Sequence, residues 1–180
     1  MTDASSGADS GRQDDHVFDF GIAGYRPHWL QGRDAVVAQH GQRLDQLAGR
    51  TLRHVWLAWD PDGDRWVPDW PVLLDFGPEQ VEINHYKTDD VSITFNSIDP
   101  GRPISSDFGF AWRPDALPEL QTLTRQQLRH ARVLEPVTTG FGDQPVALAF
   151  TFDAGYLAVY NHRDDNGLLF EPADQEWRER

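Results

Sequence analysis

The chain has 180 residues, of which 39% are hydrophobic and 12% aromatic, so it is long enough to bury a sizeable core. Its formal net charge of −13 comes from 29 acidic and 16 basic side chains, which opposes binding to nucleic-acid phosphates or to an anionic membrane surface. The absence of cysteine excludes disulfide bonds and thiol nucleophiles.

Two further properties bear on where the protein works. No stretch approaches the roughly 20 apolar residues that a membrane-spanning helix needs. The first fifteen residues are polar and acidic, whereas a secretory signal peptide begins basic and continues apolar. The sequence therefore predicts a cytoplasmic protein with no membrane partner, and it gives no indication of the oligomeric state.

In chain order, the sequence divides into a tail and two halves. Residues 1–15 are rich in Ser, Gly and Asp and contain no apolar run, which predicts a disordered tail. Residues 16–98 form the first half, with an apolar segment packed on the core, a helix that begins near Asp34, and strands from residue 51 onwards. Residues 99–113 are a connector, residues 114–171 form the second half, and residues 172–180 are expected to be frayed.

Apolar and polar or small residues alternate in both halves, which is typical of strands with one buried face. Two hairpin turns are predicted in the second half, at residues 153–155 and at residues 164–167, where Asn166-Gly167 is a strong turn signal. The predicted core consists of the inward members of the alternating runs, namely Val72, Leu74, Phe76, Val81, Ile83, Val146, Leu148, Phe150, Leu157 and Val159.

The second half repeats the pattern of the first at an offset of 76 residues, as a duplication would. The matched pairs include Leu52 with Leu128, Arg53 with Arg129, His54 with His130, Val81 with Leu157, Lys87 with Arg163, Asp89 with Asp165, and Ile93 with Leu169. Residues 71–74 match residues 145–148 at an offset two shorter, which requires a two-residue insertion at 152–155. We predict an α+β, mostly β domain with two similar halves, each a short helix followed by antiparallel strands, packed with pseudo-symmetry. The alternative is two ordinary β-meanders of similar composition.

The last strands also carry a resemblance. The segment YLAVYNHRDDNGL, with the related VEINHYKTDD earlier, is similar to a family of short uncharacterised bacterial proteins in which such a strand closes into an Asn-x-x-Asp-x-Asn-Gly turn, here residues 161–167. The resemblance covers residues 47–170. That family has no assigned activity, so the resemblance implies no functional residue.

Sequence motifs of catalysis are missing. No GxSxG elbow, P-loop, GxGxxG or HExxH is present, and the seven histidines have no metal-ligand spacing. Residues 60–64 alternate carboxylates as a calcium loop does, but Arg65 occupies the position that needs glycine. We therefore predict no catalytic residue, no metal and no cofactor. The remaining enzymatic interpretation is a dispersed carboxylate or histidine site, with Asp164-Asp165 and Asp89-Asp90 as repeat-related candidates.

The acidic residues are concentrated in the first half. Residues 60–99 contain ten carboxylates and two basic side chains, and they lie beside three tryptophans. The alternative interpretation is that this charge only keeps the protein soluble. Trp56 is expected to face outward, either exposed as an anchor or covered by the N-terminal segment.

These features predict a non-enzymatic acidic binding protein, of the immunity or inhibitor type, with a basic protein partner. Two alternatives stay open: a small-ligand or carbohydrate-binding module that uses exposed tryptophans, and an enzyme with a dispersed site. The predicted partner-binding residues are Trp56, Asp62, Asp64, Trp66, Asp69, Trp70, Asp89 and Asp90.

Overall fold

A computed structural model describes residues 19–87, 89–136, 145–172 and 177–178. The elements are β1 (Trp29–Gln31), α1 (Arg33–Asp45), β2 (His54–Asp60), β3 (Arg65–Trp66), β4 (Val72–Asp75), β5 (Gln80–Tyr86), β6 (Asp90–Phe95), β7 (Ala111–Pro114), α2 (Pro118–Leu123), β8 (Leu128–Pro136), β9 (Ala147–Phe152), β10 (Gly155–His162), β11 (Asp165–Leu169) and β12 (Trp177–Arg178). The predicted mostly β class is confirmed. In the described part of the chain, neither helix is long and apolar enough to cross a membrane.

The strands form two antiparallel sheets. Sheet 1 has the order β1-β6-β5-β4-β2-β3, with β7 also paired to β2, and sheet 2 has the order β11-β10-β9-β8-β12. The predicted tail, residues 1–15, lies outside the described residues. Of the C-terminal segment expected to be frayed, residues 177–178 instead form β12, because their backbone pairs with the end of β8.

One hydrophobic core joins the two sheets and the two helices. The ten residues predicted for it from alternation are all buried, with at most 3% of any of them exposed. Val36, Leu44 and Leu47 add the buried side of α1 and the turn after it, and Leu120 and Leu123 add that of α2. The core is thus the shared inward face of both sheets, closed by helices.

A second apolar cluster lies on the outer face of sheet 1. It contains Phe20, Ile22 and Tyr25 from the N-terminal segment and Ile98 and Ile104 from the connector region, which we call together the outer layer. Trp56 is half-buried against this cluster, as in the covered alternative of the sequence analysis. Trp70 is buried within it, and its indole nitrogen donates to the Phe20 carbonyl at 2.9 Å. The outer layer thus covers two of the tryptophans expected to be exposed.

Glu82 on β5 holds the outer layer to sheet 1. Its side chain is fully buried, and its carboxylate accepts hydrogen bonds from the backbone N–H groups of Ser97 at 2.6 Å and Ile98 at 2.8 Å. The Gln80 amide and the Thr94 hydroxyl donate to the same carboxylate. A buried carboxylate is costly unless its oxygens accept hydrogen bonds. The bonds to Glu82 therefore hold Ser97 and Ile98, just before the connector, against β5.

The register of strand pairing gives a comparison of the two halves that does not depend on matching their sequences. Val55 of β2 faces Leu74 of β4, and Ala131 of β8 faces Phe150 of β9, so the offset of 76 continues through these strands. Leu74 then faces Val81, as Phe150 faces Leu157. The shorter offset predicted from residues 71–74 and its two-residue insertion are therefore wrong, because a one-residue or two-residue slip would change the register of the pairing.

The last hairpins differ in length by one residue. Tyr86 pairs with Asp90 across the β5–β6 turn, whereas His162 pairs with Asp165 across the β10–β11 turn. Asp165 thus corresponds by pairing to Asp90 rather than to Asp89, and Leu168 rather than Leu169 corresponds to Ile93. The predicted alignment of this last strand was wrong by one residue.

The two halves of the chain also contact each other directly, through a pair of equivalent backbone hydrogen bonds. Thr51 and Gln127, which are 76 residues apart, form an antiparallel bridge. On one side the N–H of Leu52 donates to the Gln126 carbonyl, and on the other the N–H of Leu128 donates to the Arg50 carbonyl, at 3.0 and 2.8 Å. The two bonds are equivalent, because the donors are 76 residues apart and so are the acceptors.

The predicted turn at Asn166-Gly167 is not where the chain reverses. The reversal uses Arg163 and Asp164, both with positive φ, 56° and 77°, as a two-residue turn of the I′ kind requires. Asn166 and Gly167 lie in β11. A Cβ on Gly167 would meet the Tyr160 ring at 2.5 Å, so this glycine is set by close packing rather than by a turn.

Candidate functional site

Asn166 joins three parts of the chain beneath the β10–β11 turn. Its side chain is buried, and its amide nitrogen donates to the carbonyls of Pro68 at 2.8 Å and Trp70 at 3.0 Å, and to the side-chain oxygen of Asn84 at 2.7 Å. Its amide oxygen accepts from the N–H of His85 at 2.9 Å. Asn166 thus fixes the backbone on both sides of residue 69, which determines where that side chain lies.

His85 lies beside this amide in the interior. Its Nδ1 is 3.1 Å from the Asn166 side-chain oxygen, and its Nε2 is 3.1 Å from the Val146 carbonyl. Burial lowers the pKa of His85 to about 4, against the hydrogen bonds from Asn166 and Val146, which favour the charged form. The imidazole is therefore neutral at pH 7, and it adds no positive charge to the acidic groups nearby.

Asp69 and Asp165 bring two carboxyl groups into hydrogen-bond contact. Burial, the hydrogen bond with the Asp69 carboxyl and the charges of Asp69 and Asp164 together raise the pKa of Asp165 to about 6, and His162 opposes the shift. Asp165 therefore keeps its proton to a higher pH than an isolated aspartate does.

A cavity of about 310 Å³ opens next to this carboxyl pair. Its lining combines three aromatic rings, two carboxylates and the buried imidazole, namely Phe20, Asp69, Trp70, His85, Tyr86 and Asp164. Asp69, Asp164 and Asp165 take part in none of the salt bridges among the described residues. The cavity therefore presents negative charge beside aromatic faces.

The aromatic walls are held by contacts with one another. The rings of Phe20 and Trp70 meet edge to face with centroids 6.2 Å apart, and Tyr86 contacts Trp29 at 5.4 Å. Tyr86 remains 39% exposed, so its ring is accessible from outside the cavity. Rings that are fixed in this way present their faces to a ligand at little entropic cost.

The predicted site residues do not form one surface. Asp69 and Trp70 line the cavity, whereas Asp62 is exposed in the turn between β2 and β3. Asp64 accepts from the Trp59 indole at 3.0 Å and forms a salt bridge with Arg113 at 2.9 Å. Its charge is thus used within the protein, and those two contacts hold the pKa of Asp64 below its usual range.

The remaining predicted residues lie elsewhere. Trp66 is half-buried against the main core, and Trp56 contacts the His54 ring at 5.6 Å. Asp89 lies in the β5–β6 turn, and Asp90 accepts from the Gln31 amide at 2.8 Å. Of the ten carboxylates in residues 60–99, four form salt bridges with arginines, namely Asp60, Asp64, Glu79 and Asp99, and Glu82 is buried.

Sequence reasoning missed half of the cavity lining. It named Asp164 and Asp165 as a carboxylate pair, but it did not predict that Asp69 lies beside Asp165. Phe20 carried no signal that linked it to His85 and Tyr86 of β5, because it comes from a separate segment of the chain. The one available hint was the density of polar residues at the end of β5, where a fully apolar strand would be expected for a buried position.

Enzymatic features are sparse in the part of the chain that the structure describes. No group of three or more His, Asp or Glu side chains there could hold a metal ion. His54 forms a salt bridge with Asp115 at 2.8 Å on the surface, but the other Asp115 oxygen accepts from the Val55 N–H, which gives this aspartate a role in the backbone.

Comparisons with known proteins found no relative of this chain. No protein-family model, no curated protein and no solved structure matches the chain.

Proposed function

We propose that this protein is a non-enzymatic acidic binding protein, of the immunity or inhibitor type, that acts in the cytoplasm on a basic protein partner. A lysine or arginine side chain of the partner enters the cavity. The observation that carries the proposal is the lining of that cavity, in which Asp69 and Asp164 lie beside aromatic rings and belong to no salt bridge among the described residues.

The chemistry of the lining favours a cation. A guanidinium or ammonium group gains from the carboxylates and from the ring of Trp70, since aromatic rings attract cations within about 6 Å of the centroid. The ring of Tyr86 already carries the Lys87 ammonium, 5.4 Å from its centroid, so a ligand cation would have to displace it. His85 is neutral, so it does not oppose a positive ligand. The net charge of −13 would in addition steer a basic protein towards the surface and increase the association rate.

A small neutral ligand such as a sugar is the second candidate. Aromatic faces and carboxylate acceptors also suit sugar hydroxyl groups, and a volume of about 310 Å³ lies at the lower end of ligand pockets. The two candidates differ in their response to salt, because the binding of a cation weakens as ionic strength rises, whereas that of a neutral sugar does not.

The test uses defined probes with the full chain. Short acetylated peptide amides that contain one arginine, with citrulline as the uncharged equivalent, are titrated at low and high salt by calorimetry. We expect the arginine peptide to bind at least 10-fold more tightly than the citrulline peptide, and Asp69→Asn with Asp164→Asn to remove this preference. Asp62→Asn is the matched control, because it removes an exposed carboxylate outside the cavity. Equal binding of both peptides, or an unchanged preference in the double variant, would contradict the proposal.

We also infer that the two halves are copies of one ancestral unit. Three observations support this inference: the equal offset through β2, β4 and β5, the matching order of four strands in each sheet (β6-β5-β4-β2 and β11-β10-β9-β8), and the reciprocal bonds around Thr51 and Gln127. Lys87 and Arg163, also 76 residues apart, share a left-handed conformation with φ of 54° and 56°. On this interpretation the cavity combines positions of the repeated strands and turns, in β5 and the β10–β11 turn, with Phe20 of the outer layer, which lies outside the repeat.

A further inference from the structure

An exposed aromatic ring and two aspartates that form no salt bridge among the described residues lie together at the cavity. Of the large hydrophobic side chains that the structure describes, Tyr86 and Phe108 are the exposed ones, at 39% and 70%. Tyr86 lines the cavity itself. A phenyl ring that is exposed to solvent contributes little to the stability of the fold. The position of Phe108 relative to the cavity therefore bears on whether its ring contacts a partner.

Phe108 reaches the cavity wall through a short series of rings. It stacks on Phe110 with centroids 5.4 Å apart and planes inclined by 17°, and Phe110 meets Trp70 edge to face at 5.1 Å. Trp70 is a wall of the cavity. We call Phe108 and Phe110 the aromatic ledge, in which Phe108 lies two ring contacts from Trp70.

The ledge is attached to the fold at several points. The N–H of Ser105 donates to the Gly21 carbonyl at 2.8 Å, and Ile104 is buried in the second cluster. Gly109, with φ of 67°, turns the chain back, and its N–H donates to the Ser106 carbonyl. A ring presented from such a fixed segment can act as a binding anchor without a large loss of entropy.

We propose that the ledge binds an apolar side chain of the same partner segment whose basic side chain enters the cavity. This inference rests on the proposed function and states the kind of partner sequence it requires: a lysine or arginine followed or preceded, within about two to four residues of extended chain, by a large apolar residue. The apolar contact excludes water beside the ion pair, which strengthens it, as neighbouring contacts do around interface hot spots.

The experiment combines peptide and protein changes. Three acetylated peptide amides are compared. Their sequences are Arg-Gly-Gly-Leu, Arg-Gly-Gly-Ser and Ser-Gly-Gly-Leu. Each is titrated into the full chain and into Phe108→Ala and Phe108→Trp. We expect the leucine peptide to bind the unchanged protein at least 5-fold more tightly than its serine equivalent, this ratio to fall to about one in Phe108→Ala, and Phe108→Trp to restore it.

The outcomes separate this inference from the proposed function. If the arginine peptides bind and respond to Asp69→Asn, but leucine and serine peptides bind equally to the unchanged protein, the ledge has no such role while the cavity retains its own. If the leucine preference persists in Phe108→Ala, the apolar side chain binds elsewhere and the inference is overturned. If neither arginine peptide binds at millimolar concentration, both proposals fail.

Discussion

The outer faces of the two sheets differ more than their inner faces do. Inward positions carry similar residues in both halves, as with Leu74 and Phe150, which pair in the same way. Outward, Leu73, Glu82 and Asn84 of sheet 1 correspond by strand pairing to Ala149, Ala158 and Tyr160 of sheet 2. The inward faces thus share one kind of chemistry, whereas the outward faces differ.

This difference shows where function is to be sought. Sheet 1 has long and polar outward side chains because the outer layer lies on them and is bonded to Glu82. In sheet 2 the positions that correspond to Leu73 and Glu82 are Ala149 and Ala158, whose side chains cannot accept such hydrogen bonds. Phe20 of the outer layer lines the cavity together with residues of the β3–β4 loop, β5 and the β10–β11 turn, so the cavity lies where the outer layer meets sheet 1 and that turn.

The largest predicted effect tests the equivalence of the inner faces. Leu74→Ala and Phe150→Ala each remove a side chain with 0% exposure, and we expect losses in the free energy of unfolding of about 2–5 and about 3–5 kcal/mol. Both should lower the temperature of one cooperative transition in calorimetry, since both sheets share one core. Phe108→Ala, at an exposed position, should change the stability by less than about 0.5 kcal/mol.

Two results would break this part of the comparison. A negligible loss for either core variant would show that the two inward faces are not equivalent. Separate transitions for the two halves, each shifted by one substitution only, would show that the sheets do not share a core.

The inner faces were predictable from the sequence, for a physical reason. Strand side chains alternate with a period of two, so a run such as Val146, Leu148 and Phe150 states which residues are buried without knowledge of the partner strand. Pairing of the halves was predictable only in part. The match of residues 71–74 with residues 145–148 depended on a Pro-Val pair that both segments contain. Such a local match cannot decide the register of a strand, because the register is determined by hydrogen bonds to the neighbouring strands.

The outer layer and the cavity could not be predicted in the same way. Asn166 resembles a turn residue in sequence, but its side chain bonds to Pro68, Trp70 and Asn84, which are more than 80 residues away. Such a role depends on non-local contacts and leaves no periodic signal. The acidic cluster of residues 60–99 was visible, but its division among salt bridges, a buried anchor and the cavity required the fold.

A smaller effect tests the outer face. Glu82→Gln keeps the shape of the side chain but replaces one acceptor oxygen with a donor group that meets the N–H and hydroxyl donors of residues 94–98. We expect a loss of about 1–3 kcal/mol in the free energy of unfolding, measured by urea denaturation. Glu119→Gln, at an exposed position on α2, is the matched control and should be nearly neutral. If both variants were equally stable, Glu82 would not hold the outer layer, and the contrast with Ala158 would lose its meaning.

The smallest predicted effect concerns the turns, where Asp165 in the second half corresponds by pairing to Asp90 in the first. The pKa of Asp165 is raised from 3.8 to about 6, so between these values the folded protein holds more protons at this site than the unfolded chain. Its contribution therefore lowers the free energy of unfolding as the pH rises from about 4 to 6. His85 acts in the opposite direction, because its pKa is lowered from 6.5 to about 4, and its contribution increases the stability as the pH rises through that window.

Asp165→Asn separates the two contributions. The variant loses the contribution of Asp165 and retains that of His85, so its stability should rise more steeply between pH 4.5 and 7 than that of the unchanged protein, and it should be the more stable of the two at pH 7.5. Because Asp165 is only partly buried, solvent screening limits the difference to less than about 1 kcal/mol. Asp90→Asn is the matched control, since Asp90 bonds to the Gln31 amide rather than to a second carboxyl group, and it should leave the slope unchanged. Parallel pH profiles for Asp165→Asn and the unchanged protein, from urea denaturation at each pH, would show that the contact between Asp69 and Asp165 does not distinguish the two turns.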